Sequence, residues 1–150
     1  MKVVSPRFLS RQAILFGLTL LLALAGCGKQ GVGPAEQAAL LVGRWRLVSV
    51  SGGLSGRGQP LDPAHPREMI LTADGQTQFL VDGRVSGAAT YTITQGISLL
   101  SHQPVDFLVF GGTGSNLPGP GKQIIESVSA DDLHLSDDAF DGFGYDYRRQ

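Results

Sequence analysis

The sequence predicts an all-β protein: a small up-and-down antiparallel β-barrel of about eight strands, preceded by one short helix. Three observations predict it. Short runs of β-branched and aromatic residues alternate with polar ones from residue 44 onward. The cleanest is the stretch where Ala89, Tyr91 and Ile93 interleave with Ala88, Thr90, Thr92 and Thr94. Asp74-Gly75 and Asp82-Gly83 punctuate these runs, and Asp-Gly favours hairpin turns whose twist matches that of strands. No long helical pattern separates the runs, which argues for antiparallel pairing; eight or nine short strands then close most economically into a barrel, which leaves no edge exposed.

The elements follow in order. Residues 34–42 predict a helix: Pro34 suits a first helical position, and Ala35, Ala38, Ala39 and Leu41 favour helix. It is too short to persist unaided and must dock on the rest of the chain. Strands are expected at 44–51, 68–72, 76–81 and 88–94. A turn at Gln95-Gly96 leads into 97–100, and further strands are expected at 106–110, 122–129, 133–136 and 143–149. Two glycine- and proline-rich connections, 52–66 and 111–121, interrupt this pattern. Loops of that length in a compact domain often border a binding mouth.

The N-terminal stretch is of a different kind. Lys2, Arg7 and Arg11 form a positive head, followed by an apolar run from Ala13 to Ala25. That run falls short of the roughly 20 residues needed to cross a bilayer, so it reads as a secretory signal rather than an anchor helix. Leu24-Ala25-Gly26-Cys27 resembles the lipobox of bacterial lipoproteins, and Cys27 is the one cysteine in the sequence. The resemblance implies cleavage before Cys27, a diacylglycerol thioether on its sulfur and often an acyl group on the new amine. Two chains meet the condition for stable anchoring, each buried methylene contributing ~0.8 kcal/mol. The implied organisation is a signal peptide over 1–26, a lipidated tether over 27–34 and a barrel domain over 35–150. The tether from Gly28 to Gly33 spans at most roughly 20 Å, which keeps the domain near its membrane. Gly28 is not the aspartate that retains enteric lipoproteins in the inner membrane, so the expected location is the bacterial cell envelope, with the outer membrane preferred.

Formal net charge is −1 at pH 7, and the part after Gly26 is more acidic because three basic residues precede it. Such a chain lacks the clustered Lys and Arg that nucleic acid requires. With Cys27 acylated, no disulfide forms within one chain, so stability rests on the core.

Gly43-Arg44-Trp45, opening the first strand just after a helix, resembles the G-x-W of the lipocalins and of bacterial lipocalin-like lipoproteins. The turn Thr72-Ala73-Asp74-Gly75, then Tyr91-Thr92-Ile93, Leu133-His134-Leu135-Ser136-Asp137 and the closing Gly142–Arg149 extend the likeness over roughly residues 40 to 149. It implies that the helix covers one end of the barrel. In an antiparallel barrel the last strand ends beside the start of the first, so Arg148 or Arg149 is expected across the Trp45 indole. The cation–π contact is worth ~0.5–2 kcal/mol. Arg149, which shares strand parity with Tyr145 and Tyr147, is the favoured one. Gly43, Trp45, Arg148 and Arg149 are thus barrel-closing residues. The candidate cavity lining is Leu47, Phe79, Tyr91, Ile93, Phe107, Tyr145 and Tyr147. Lipocalins are usually longer, and many carry a disulfide; the short strands here imply a small cavity.

Catalytic and metal signatures are weak. Asp137-Asp138-Ala139-Phe140-Asp141-Gly142 invites a calcium reading, but counted from Asp137 the third position is Ala139 and the twelfth Arg148, where ligands are required. His65, His102 and His134 are isolated, without metal-ligand spacing. Gly119-Pro120-Gly121-Lys122 mimics the end of a phosphate loop but lacks its first glycine and its hydroxyl residue, and no G-x-S-x-G elbow occurs. No cofactor, metal or enzymatic activity is expected. Two functions remain. One is an envelope lipoprotein whose barrel binds or carries a small apolar ligand. The alternative is a ligand-free structural or interaction module that docks another envelope protein.

Overall fold

The structure, a computed structural model, describes residues 33–53, 57–112 and 121–150. The expected signal peptide, the Cys27 tetrapeptide, the expected tether up to residue 32 and most of the 111–121 loop lie outside the described residues. The element order is α1 (Pro34–Leu41), β1 (Gly43–Gly52), β2 (Gln59–Pro60), β3 (Arg67–Leu71), β4 (Gln76–Val81), β5 (Arg84–Ile97), β6 (Pro104–Gly111), β7 (Lys122–Val128), β8 (Asp132–Ser136) and β9 (Phe143–Arg149).

Strands β1 and β3 to β9 pair antiparallel, each with the next, and β9 returns to β1, which closes an eight-stranded barrel. The closing seam runs from Trp45 opposite Arg149 to Gly52 opposite Phe143. The two-residue β2 lies within the 52–66 connection and pairs with Ser49 and Val50, beside the half of β1 that the shorter β3 does not reach. Register shifts interrupt three ladders, at Leu47/Ser49, Phe79/Leu80 and Ile125/Ser127. Bulges of this kind bend a strand and raise its twist, which a sheet needs to close on itself.

Local chemistry explains the turns. Asp82 and Gly83, with φ of 51° and 74°, form a two-residue hairpin turn with both central residues in the left-handed region. One expected turn is not a turn. Gln95-Gly96 lies inside β5, which runs unbroken over 14 residues, and the reversal comes at residues 98–103. The cause is spatial: a Cβ added to Gly96 would lie 3.0 Å from the Phe107 ring, so this glycine makes room for an aromatic neighbour. The expected strand at 97–100 is accordingly reduced to Ile97, the last residue of β5.

One apolar cluster fills the barrel. Trp45, Met69, Leu71, Leu108, Leu133 and Leu135 are almost wholly buried in it, and Phe79 and Phe110 meet edge to face with centroids 5.5 Å apart. Leu41 of α1 joins the same cluster, so the helix is held by burying its apolar side against one end of the barrel.

Candidate functional site

The sealed end of the barrel is built from the C-terminal end of α1. A helix leaves its last carbonyls without intrahelical donors. Here Trp45 Nε1 donates to the Leu41 carbonyl at 2.8 Å, and Arg149 Nη1 donates to the Val42 carbonyl at 2.8 Å. Arg149 Nη2 donates to the Leu40 carbonyl, and Nε to the Ala130 carbonyl in the β7–β8 turn. The guanidinium carbon stands 4.1 Å from the Trp45 ring centroid. One cation therefore joins the helix end, the indole and a distant turn. Its charge is also well placed at a helix C-terminus, where the macrodipole is negative. A Cβ at Gly43 would overlap the guanidinium, and its φ of +151° disfavours other residues as well. Arg148 faces outward and pairs with Asp132 at 3.4 Å.

The other expected lining residues divide. Leu47, Phe79 and Tyr147 belong to the buried cluster, and Tyr91, Ile93 and Tyr145 pack against it half-buried. Phe107 is a correction. It is fully buried, yet it stands outside the interior cluster: on β6 it pairs with Thr94 and Ile124, opposite in parity to Leu108 and Phe110, which point inward. Its ring lies over Gly96, with Lys122 Nζ 3.5 Å from its centroid. β6 is apolar on both faces, so alternation alone could not tell inside from outside.

Burial is uneven along β1 and β9. At the helix end, Trp45, Leu71 and Leu133 have at most 1% exposure. At the opposite end of β1 and β9, the inward-facing Val50 and Tyr145 are only half-buried. Tyr145 donates to Asp137 Oδ2 at 3.3 Å; burial, aided by the nearby Asp137 charge, pushes its phenol up to about 12. Burial raises the Tyr147 phenol as well. Both hydroxyls are thus neutral donors across the physiological range.

Two acids of the 137–142 turn, Asp137 and Asp138, are engaged within the fold. Asp138 accepts from Leu99 N and Ser98 Oγ, both at 2.9 Å, and so joins the β8–β9 turn to the β5–β6 turn. Those backbone and hydroxyl donors hold its carboxyl below the usual range. Asp137 accepts from Phe143 N at 3.0 Å. In the sequence this segment reads as a solvated hairpin turn; the parity of Asp137 with Leu133 and Leu135 is the signal that it turns inward. Gln123, which shares parity with Ile125, carried the same signal.

His134 Nδ1 lies 2.7 Å from Asp146 Oδ1, and Ser49 Oγ donates to Asp146 Oδ2. The carboxylate stands between hydroxyl and imidazole, so the imidazole is not placed to take the serine proton as nucleophilic catalysis requires. The trio ties β1, β9 and β8 together on the outer surface. The Ser49 hydrogen bond first, and His134 after it, lower the Asp146 pKa. A carboxyl depressed in the folded state stabilises above its unfolded value, about 3.9, and that stabilisation is lost as pH falls through the folded value. Urea melts of Asp146→Asn should therefore show a shallower loss of stability below about pH 4 than wild type. Parallel acid limbs for the two proteins would contradict this linkage.

The closed eight-stranded antiparallel barrel is consistent with a lipocalin-like fold. Comparison of the chain with models of known families, with curated proteins and with solved structures finds no match.

Proposed function

We propose that this chain is a lipocalin-like lipoprotein of the bacterial cell envelope, anchored through lipid on Cys27, whose barrel binds or carries a small apolar molecule without catalysing a reaction. One observation carries the binding role: the apolar interior is sealed by Trp45, Arg149 and α1 at one end, whereas Val50 and Tyr145 at the other are only half-buried. An apolar inner face sealed at one end and half-buried at the other suits a small apolar ligand seated at the less buried end. Native mass spectrometry of the full chain, extracted from its own envelope, should show a co-purifying apolar molecule. Protein that is uniformly ligand-free, and that takes up no apolar probe, would refute the carrier role.

The anchoring has its own test. Metabolic labelling with clickable palmitate should mark the wild type and not Cys27→Ala, and the variant should leave the membrane fraction. Equal labelling of both proteins would rule out lipidation at this residue.

A second reading, docking to another envelope protein, is favoured by one observation. Phe140, in the turn at the end of β1 remote from α1, is 87% exposed, and Leu99 and Leu100 of the tethered β5–β6 turn are exposed as well. A photo-crosslinker at position 140 that repeatedly captures one envelope protein would support docking; capture of none would leave the carrier role.

A further inference from the structure

Among the described residues, three buried side-chain atoms on the inner face have no hydrogen-bond partner: Thr77 Oγ1 on β4 and, at adjoining positions of β7 and the β8–β9 turn, Gln123 Nε2 and Asp137 Oδ1. Gln123 is 2% exposed, and it pairs with Leu108, a residue of the interior cluster. Its Nε2 is without a partner. Asp137 lies two residues beyond Leu135, another interior residue, and its Oδ1 is likewise buried and unpartnered, although Oδ2 accepts from Phe143 N and Tyr145 Oη. The β7–β8 ladder pairs Ile124 with Ser136, so Gln123 and Asp137 are the next pair along that register. Tyr145, whose hydroxyl meets Asp137, is itself an inward residue opposite Leu135 and Val50. The two atoms thus stand toward the half-buried end of the barrel.

A buried donor or acceptor left unmade costs about 1–3 kcal/mol, and more where a charge is involved. The register therefore sets one unmade donor and one unmade acceptor at paired positions of neighbouring strands on a largely apolar inner face. A group that completes both must accept from an N–H and donate to a carboxylate. A neutral hydroxyl or a primary amide does both. An ammonium leaves the Gln123 N–H unmade, a carboxylate or phosphate brings Asp137 Oδ1 no donor, and a bare alkane leaves both atoms unpaired.

We infer that Gln123 and Asp137 form a polar subsite inside the barrel, which recognises an apolar ligand by a neutral hydroxyl or primary amide head group. The inference rests on the carrier reading and narrows it to a ligand class. It also explains why a barrel of this composition holds a glutamine where an apolar residue of similar volume would avoid the cost of desolvation.

The test uses the full chain in phosphatidylcholine nanodiscs, labelled at leucine methyls and glutamine side-chain amides, and titrated with octanol, octanamide and octane. Leu108 and Leu135 methyl shifts report occupancy of the barrel by any probe; the Gln123 amide reports engagement of the head group. Octanol and octanamide should bind at least about tenfold more tightly than octane and shift the Gln123 amide. In Gln123→Met, which keeps volume while removing the donor, the three affinities should converge. Equal affinities in the wild type would overturn the subsite while leaving the carrier reading in place. An unchanged Gln123 amide at saturating octanol would do the same. Methyls unmoved by every probe would overturn both. If Gln123→Met fails to fold, the wild-type comparison of octanol with octane still decides.

Discussion

Arg149→Ala should lower the unfolding free energy by about 4 kcal/mol, one of the two largest effects expected of any single substitution here. The residue donates to three carbonyls from two distant segments and lies against Trp45. Hydrogen bonds from a charged donor contribute about 1.5–3 kcal/mol each, less where water reaches them, and the cation–π contact adds ~0.5–2. The terms overlap, because losing the guanidinium frees the helix end as a whole. Urea denaturation followed by Trp45 fluorescence measures the total. Hydrogen exchange in α1 measures the local part, and protection there should fall before that of the barrel strands. Arg149→Lys should recover a minority of the loss, since a point charge does not reproduce the planar fork. A double-mutant cycle with Trp45→Phe should return a coupling of about 0.5–3 kcal/mol. A loss below about 1 kcal/mol with α1 still protected would show that the helix is held by burial of Leu41 alone.

Phe107→Ala should cost about 3–5 kcal/mol, as large as an interior aromatic truncation, yet leave the barrel interior undisturbed. Phe107 is fully buried between Gly96 and Lys122 on the outer side of β6, whereas Phe110, of opposite parity, lies inside against Phe79. Two substitutions of similar cost should therefore part company in their effects on probe binding. Phe110→Ala should change the affinity for octanol, and Phe107→Ala, measured where both variants are folded, should not. If Phe107→Ala alters probe affinity as strongly as Phe110→Ala, the division of β6 into inner and outer faces is wrong.

These two residues also mark how far the sequence could be read. Arg149 was accessible because parity with Tyr145 and Tyr147 counts along one strand, and the antiparallel return of the last strand to the first follows from closure. Arg148, one residue earlier, turns outward to Asp132. Phe107 was misplaced because 107–110 is apolar at every position, and a period of two identifies faces without saying which is inner. Gly96 misled for a related reason: a glycine beside a polar residue looks like a turn, and only the neighbouring strand reveals that an aromatic ring needs its space.

By itself the sequence determined most of the strands, the Asp-Gly turns, the short docked helix and the G-x-W start, because each depends on propensities and periods within a few residues. Tertiary structure alone decided which apolar face of β6 fills the barrel, which helix carbonyls Arg149 caps, and that Gln123 and Asp137 adjoin. Those facts depend on register between strands, on bulges that shift it and on the return of β9 to β1. Such contacts join positions far apart in the chain, and no local pattern encodes them.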